Sequence, residues 1–112
     1  MNTNNKKNIV IKIGTTSIIK NDKVDISLLK SLAELIIENK NKFNFVIVTS
    51  GAVGLGATKL NYKSRPRSLK RLQVASAVGQ IELINQYEKI FKDKKMNIAQ
   101  VLITKNLIDD RE

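Results

Sequence analysis

The chain contains neither cysteine nor histidine. Lack of cysteine excludes disulfides, thiolate chemistry and cysteine-ligated metal. Lack of histidine removes the commonest general base and the commonest zinc ligand. Long apolar runs are missing as well: nothing approaches the ~20 residues of a membrane span. The opening stretch Met1–Asn8 is polar and lysine-bearing, without the apolar core of a signal peptide. The expectation is a cytoplasmic protein with no membrane partner. Proline occurs once, at Pro66.

A length of 112 residues fits one domain. Such a domain buries somewhat under ~70% of its unfolded surface, enough for a modest core. The formal net charge is +10, mostly from lysines spread along the chain among asparagines. That pattern reads as solvated surface charge and a compositional bias of the source. The densest basic cluster is Lys59, Lys63, Arg65, Arg67, Lys70 and Arg71, flanking Pro66. Only Tyr62 interleaves it, which is a thin stacking platform for single strands. No zinc-finger, homeodomain or RNA-recognition signature accompanies it, so nucleic acid is not the expected partner.

What is present is organised around short apolar runs. Ile9-Val10-Ile11 precedes Lys12-Ile13-Gly14-Thr15-Thr16-Ser17, and Phe45-Val46-Ile47-Val48 precedes Thr49-Ser50-Gly51-Ala52-Val53-Gly54. An apolar run ending in a small, glycine-bearing turn predicts a buried parallel strand that delivers a loop to one sheet edge. Ligands of open α/β sheets sit at the carboxyl ends of strands. Two such loops line a concave surface with backbone N–H groups, which suits an anion, and Lys12 makes a phosphate or carboxylate the natural choice.

Between the strands, Leu28, Leu29, Leu32, Leu35 and Ile36 recur at helical spacing up to about Lys40, with Asp25 or Ser27 as the cap. The unit predicts a right-handed βαβ crossover. A second helix is expected from Gly51 to Leu60, a loop from Asn61 to Ser68, and a long helix from Leu69 to Lys92. Val74, Ala77, Val78, Ile81, Ile84 and Phe91 form its candidate apolar face, and Gly79 inside it marks a close backbone approach. Ile98 to Ile103 reads as a third strand, and Thr104 to Glu112 as the start of another loop or helix.

Known phosphate motifs are absent. There is no Gly-x-x-x-x-Gly-Lys-Ser/Thr, and Gly51, Gly54 and Gly56 reverse the dinucleotide spacing Gly-x-Gly-x-x-Gly. The protein-kinase set is missing too. On spacing alone, Gly14 and Gly51 equally suit tight turns with Lys12 as a solvated charge.

Ile11-Lys12-Ile13-Gly14-Thr15-Thr16, Val48-Thr49-Ser50-Gly51-Ala52-Val53, the stretch Gln73–Gln80 ending Ala77-Val78-Gly79-Gln80, and Ala99-Gln100-Val101-Leu102-Ile103-Thr104 together resemble glutamate 5-kinase, within the amino-acid kinase superfamily. The closing Asp109-Asp110-Arg111-Glu112 resembles it too. The likeness implies an α/β fold, a three-layer αβα sandwich with a mainly parallel sheet, of which only the amino-terminal half is present. Residues 1–8 would be a flexible amino terminus and residues 9–112 a partial kinase domain truncated at the carboxyl end.

The resemblance implies transfer of the ATP γ-phosphoryl group to the side-chain carboxylate of L-glutamate, giving glutamyl 5-phosphate, the first step towards proline. A carboxylate nucleophile is already ionised near neutral pH, so no histidine is required. By resemblance, Lys12 is the catalytic lysine on the transferring phosphoryl group, and Gly14 and Thr15 join it in binding phosphate. Ser50, Gly51 and Ala52 bind glutamate. ATP and Mg2+ are implied, without a protein metal ligand in this chain, as is a homo-oligomer for the full-length protein. The residues completing the glutamate site, the second lysine and the nucleotide-binding segment would lie beyond Glu112. The isolated chain is therefore expected to be inactive alone. The alternatives are a non-catalytic remnant pairing with a full-length kinase, and a small basic nucleic-acid-binding module.

Overall fold

Alternation of apolar and polar side chains builds the first strand. In a computed structural model that describes residues 5–103, β1 runs Lys7–Ile13. Ile9, Ile11 and Ile13 lie on one face, and Asn8, Val10 and Lys12 on the other. The strand takes in Lys7 and Asn8, which the sequence assigned to the amino-terminal tail. A short helix, α1 (Thr15–Ile18), follows at once. It passes into a small hairpin of β2 (Ile19–Lys20) and β3 (Lys23–Val24). Asn21 and Asp22 between them have φ of 52° and 61°. Positive φ at both central residues is the type I′ turn, whose twist matches antiparallel strands. The Asn-Asp pair carried that signal, but this hairpin was not among the expected elements.

The helix α2 (Ile26–Asn39) starts where the Asp25 carboxylate accepts the Leu28 N–H at 3.2 Å. Such an N-cap contributes about 1 kcal/mol. Leu29, Leu32, Ala33 and Ile36 form its buried stripe, while Leu35, expected on that face, stays exposed. The chain then enters β4 (Phe43–Thr49), which pairs parallel with β1 from Lys7 opposite Phe43 to Ile13 opposite Thr49. A side-chain bond from Asn44 Nδ2 to Asn8 Oδ1, at 3.2 Å, reinforces that register. Two helices complete the described chain: α3 (Ala52–Lys59) and α4 (Leu69–Asp93), the latter capped by the Ser68 hydroxyl accepting the Arg71 N–H at 3.2 Å.

Helices α2 and α4 touch each other and share one core with Ile11, Ile13, Phe45 and Ile47. They therefore cover the same face of the β1–β4 ladder. Residues of the other parity, Val10, Val46 and Val48, remain 64%, 51% and 47% exposed. The α/β class with a parallel sheet agrees with expectation. The described residues supply the sheet and one helical layer of the sandwich.

Helices α3 and α4 cross with their backbones in contact. A Cβ at Gly56 would overlap the Ala75 carbonyl, and one at Gly79 would overlap the Ala52 carbonyl. The close approach expected at Gly79 is thus real, but it turns the expected apolar face of α4, of which Phe91 is buried and Ile84 packs on the core while Ala77 is exposed. The core side is Ala75, Gly79, Leu83, Tyr87, Ile90 and Phe91, and Val74 and Ile81 point outward. Large side chains lose to small ones here because only alanine and glycine let another backbone come so near.

The expected strand from Ile98 to Ile103 does not form: no regular element follows α4 among the described residues. Ile98 packs at the edge of the core, but Val101, Leu102 and Ile103 are exposed. Strand-forming side chains do not make a strand without a neighbouring ladder to pair the backbone. The segment Thr104–Glu112 lies outside the described residues.

The two kinds of glycine separate in a stability experiment. Gly79→Ala should lower the free energy of unfolding by about 2 kcal/mol, because the methyl overpacks against backbone that cannot yield. Gly54→Ala, whose new Cβ meets nothing within 4 Å, should instead raise it by about 0.5–1 kcal/mol through helix propensity. Urea unfolding followed by circular dichroism measures both; equal effects would contradict the described crossing.

Candidate active site

Two loops leave the carboxyl ends of neighbouring parallel strands. The Ser50 N–H donates to the Ile13 carbonyl at 3.0 Å, one step past the end of the β1–β4 ladder. The loops beginning at Gly14 and Gly51 therefore start side by side. Gly14 caps α1 in an extended conformation, with open space where a Cβ would stand. Gly51 caps α3 with φ at 112°, in the left-handed region. A Cβ there would also meet Ile18 Cγ2 at 3.0 Å. Glycine at 51 is thus demanded by its own backbone, and a side chain there would also press on Ile18 and Ile19. That same contact brings the two loops against each other.

No side chain caps the start of α1 or of α3. The first N–H groups of a helix have no intrahelical partner and carry its positive dipole end. Ala52, Val53 and Gly54 occupy those positions in α3, and Thr15 and Thr16 in α1. Thr15, Thr16, Ser17 and Ser50 are exposed around them.

Lys12 stands one residue before the end of β1, opposite Val48. It is exposed, and among the described residues its ammonium makes no ion pair. It lines a concavity of about 340 Å³ with Ile11, Ile13, Ser17, Leu28 and Leu32. A larger hollow, about 520 Å³, opens between α3 and the loop 61–65, beside Gly54, Lys63 and Arg65. It contains neither Lys12 nor Ser50. From the first turn of α4, the Arg71 guanidinium reaches 5.6 Å above the ring of Tyr62 in the loop. That occupies one face of the aromatic side chain within the cluster.

A residue that sequence reasoning missed enters from α4. Tyr87 is buried, and its hydroxyl donates to Thr49 Oγ1 at 2.9 Å. Thr49 Oγ1 in turn donates to the Ser50 carbonyl at 3.1 Å. Burial pushes the Tyr87 phenol above its ordinary 10.0, and the Thr49 hydroxyl, able to donate to a phenolate, opposes the rise. The available signal was a polar-tipped aromatic at a core position of a helix, since a buried tyrosine hydroxyl generally finds a partner.

One lysine, several hydroxyls and two unsatisfied helix starts form a donor set for anions. Among the described residues, no cluster of three histidine, cysteine, aspartate or glutamate side chains exists that could hold a metal. Such a donor set suits phosphate and carboxylate oxygens.

Residues 7–112 match the model of the amino acid kinase family, and the chain belongs to that family. Within it, the chain is similar to glutamate 5-kinases. It is 48% identical over 111 residues to the glutamate 5-kinase of Prochlorococcus marinus subsp. pastoris, an alignment covering 95% of this chain and 30% of the relative. Identity is 35% over 105 residues with that of Lactococcus lactis subsp. lactis, covering 92% and 39%. With that of Moorella thermoacetica it is 39% over 107 residues, covering 94% and 28%. The chain spans about a third of the length of these relatives.

The buried phenol yields a pH prediction. A raised folded-state value means that the folded chain keeps the proton that the unfolded chain releases. The associated stability is fully present below pH 10.0 and is lost as pH rises through the folded value. Ultraviolet titration of phenolate should show a group ionising above 10.0. Tyr87→Phe should remove that step; its persistence in the variant would assign it elsewhere.

Proposed function

We propose that this chain is the amino-terminal part of a glutamate 5-kinase, carrying the phosphate and glutamate loops of the kinase domain. The observation that supports the reading most is the adjacency of the Gly14 and Gly51 loops at one sheet edge, with Lys12 on the same strand end. The names of the similar proteins supply the substrate. The reaction moves the γ-phosphoryl group of ATP to the side-chain carboxylate of L-glutamate. A carboxylate oxygen forms the new bond to the γ-phosphorus, and the bond from that phosphorus to the β-phosphate oxygen breaks. ADP and glutamyl 5-phosphate leave, opening the route to proline.

The chemistry asks little of acid–base groups. The nucleophile is ionised at neutral pH, so the barrier lies in bringing two anions together and in stabilising charge on the equatorial phosphoryl oxygens. Lys12 neutralises that charge. Gly14 leaves room for phosphate oxygens to approach the backbone, and Thr15 adds a hydroxyl and an N–H. Ser50 donates its hydroxyl to glutamate, with the Gly51 and Ala52 N–H groups beside it. Mg2+ would enter with ATP and would neutralise part of the phosphate charge. Because transition-state contacts act as a unit, the 112 residues alone are proposed to turn over slowly or not at all.

A hybrid enzyme tests the reading. In it, this chain replaces the matching amino-terminal segment of the Prochlorococcus kinase, and glutamate-dependent ADP release is measured. Turnover above that of the kinase lacking the segment is the expected result; none would overturn the assignment. In an active hybrid, Lys12→Ala should lower kcat by about 10²–10³-fold with little change in the glutamate KM. An unchanged kcat would remove the role given to Lys12. Ser50→Ala should raise the glutamate KM by about tenfold, the equivalent of one hydrogen bond, at similar kcat.

A further inference from the structure

A hydrogen-bonded chain that no rim residue explains ends on the glutamate loop. Tyr87 comes from α4, 38 residues further along than Thr49. Its ring is packed in the core beside Phe91, with centroids 6.2 Å apart. The hydroxyl proton of Tyr87 goes to Thr49 Oγ1, and the single hydroxyl proton of Thr49 goes to the Ser50 carbonyl. Each hydroxyl thus has one direction, and the chain anchors a rim peptide to the middle of the longest helix.

That peptide needs an anchor. It joins Ser50 to Gly51, and glycine tolerates backbone conformations that other residues resist. Rotation of the Ser50–Gly51 peptide is therefore cheap unless something holds it. A trans peptide points its N–H opposite to its carbonyl. With the Ser50 carbonyl held by the Thr49 hydroxyl, the Gly51 N–H is turned away from that hydroxyl.

We propose that Tyr87 and Thr49 form a strut that holds the Ser50–Gly51 peptide in the orientation presenting the Gly51 N–H to the bound carboxylate. They are positioning residues: neither touches the substrate in this account, and both act through the peptide they hold. The inference rests on the reading of this loop as the glutamate loop, but its physical core concerns only the free protein.

The test is nuclear magnetic resonance of the isotopically labelled chain, unliganded. Tyr87→Phe removes one oxygen and keeps the ring. Thr49→Val removes both bonds and keeps the shape, and Thr49→Ser restores the hydroxyl. Thr49→Val loses the bond to the Ser50 carbonyl, about 1 kcal/mol, and should raise the population of the rotated peptide about fivefold. Tyr87→Phe keeps that bond but frees the Thr49 hydroxyl to turn, and should raise it by less. Displaced Ser50 carbonyl and Gly51 nitrogen shifts, with exchange broadening confined to residues 50–52, should therefore appear in Tyr87→Phe and in Thr49→Val. Thr49→Ser should return both signals to the parental positions, and the amides of Leu83 and Ile90 should report intact packing throughout. If Thr49→Val unfolds, the comparison of Tyr87→Phe with Thr49→Ser decides alone. Parental signals at Ser50 and Gly51 in Tyr87→Phe would overturn the strut. Failure of the kinase reading shows separately, as a hybrid enzyme without glutamate-dependent turnover beside intact strut signals.

Discussion

Everything in this molecule that bears on chemistry depends on the parallel pairing of β1 with β4. The ladder runs in one register from Lys7 opposite Phe43 to Ile13 opposite Thr49, and the Ser50 N–H prolongs it onto the Ile13 carbonyl. A parallel pair ends both strands at the same edge. Whatever follows them must emerge together, so two glycine-bearing turns separated by a whole crossover helix become neighbours. An antiparallel pair of the same strands would send the turns to opposite ends.

The second constraint is the crossing of α3 and α4. Gly56 and Gly79 remove the side chains that would separate the two backbones. This seats α3 against the long helix and fixes the direction in which its first amides point. Side-chain packing alone would allow α3 to roll; backbone contact on two glycines leaves little room for it. The inner side of α4 then carries Leu83, Tyr87 and Phe91 against the sheet, and Tyr87 reaches Thr49 from there. A helix contact and a rim peptide are thus joined through one buried aromatic side chain.

The comparison of sequence with structure follows from what each signal measures. The apolar runs Ile9–Ile11 and Phe45–Val48 were legible as parallel strands and the spacing of Leu29, Leu32 and Ile36 as a helix, because these are local patterns. The strands were expected to be buried, however, and they leave Val10, Val46 and Val48 exposed. Gly79 was legible as a close approach for the same reason, since a glycine inside a helix has a local cost that needs a remote cause. The apolar face of α4 was read correctly at Ile84 and Phe91 and misread nearer its start. Side-chain size favoured Val74 and Ile81, whereas the neighbour selected Ala75 and Gly79 for their smallness. Ile98–Ile103 was misread as a strand because β-forming composition says nothing about whether a partner strand is at hand. The loops of the candidate site were located from glycine, lysine and hydroxyl residues, and family resemblance attached roles to them. The Tyr87–Thr49 bond carried no spacing signal at all.

The order of strand, loop, helix and strand and membership of the amino acid kinase family were written in the chain itself. These depend on neighbours within a few residues or on motifs read in line. The side of α4 that faces the core, the left-handed turn at Gly51 against Ile18, and the two hydrogen bonds from Tyr87 to Thr49 and from Thr49 to the Ser50 carbonyl were decided only by the tertiary structure. Each of these joins atoms far apart in sequence. Such meetings are settled by close packing and the satisfaction of buried polar groups, and neither is visible until the chain has closed on itself.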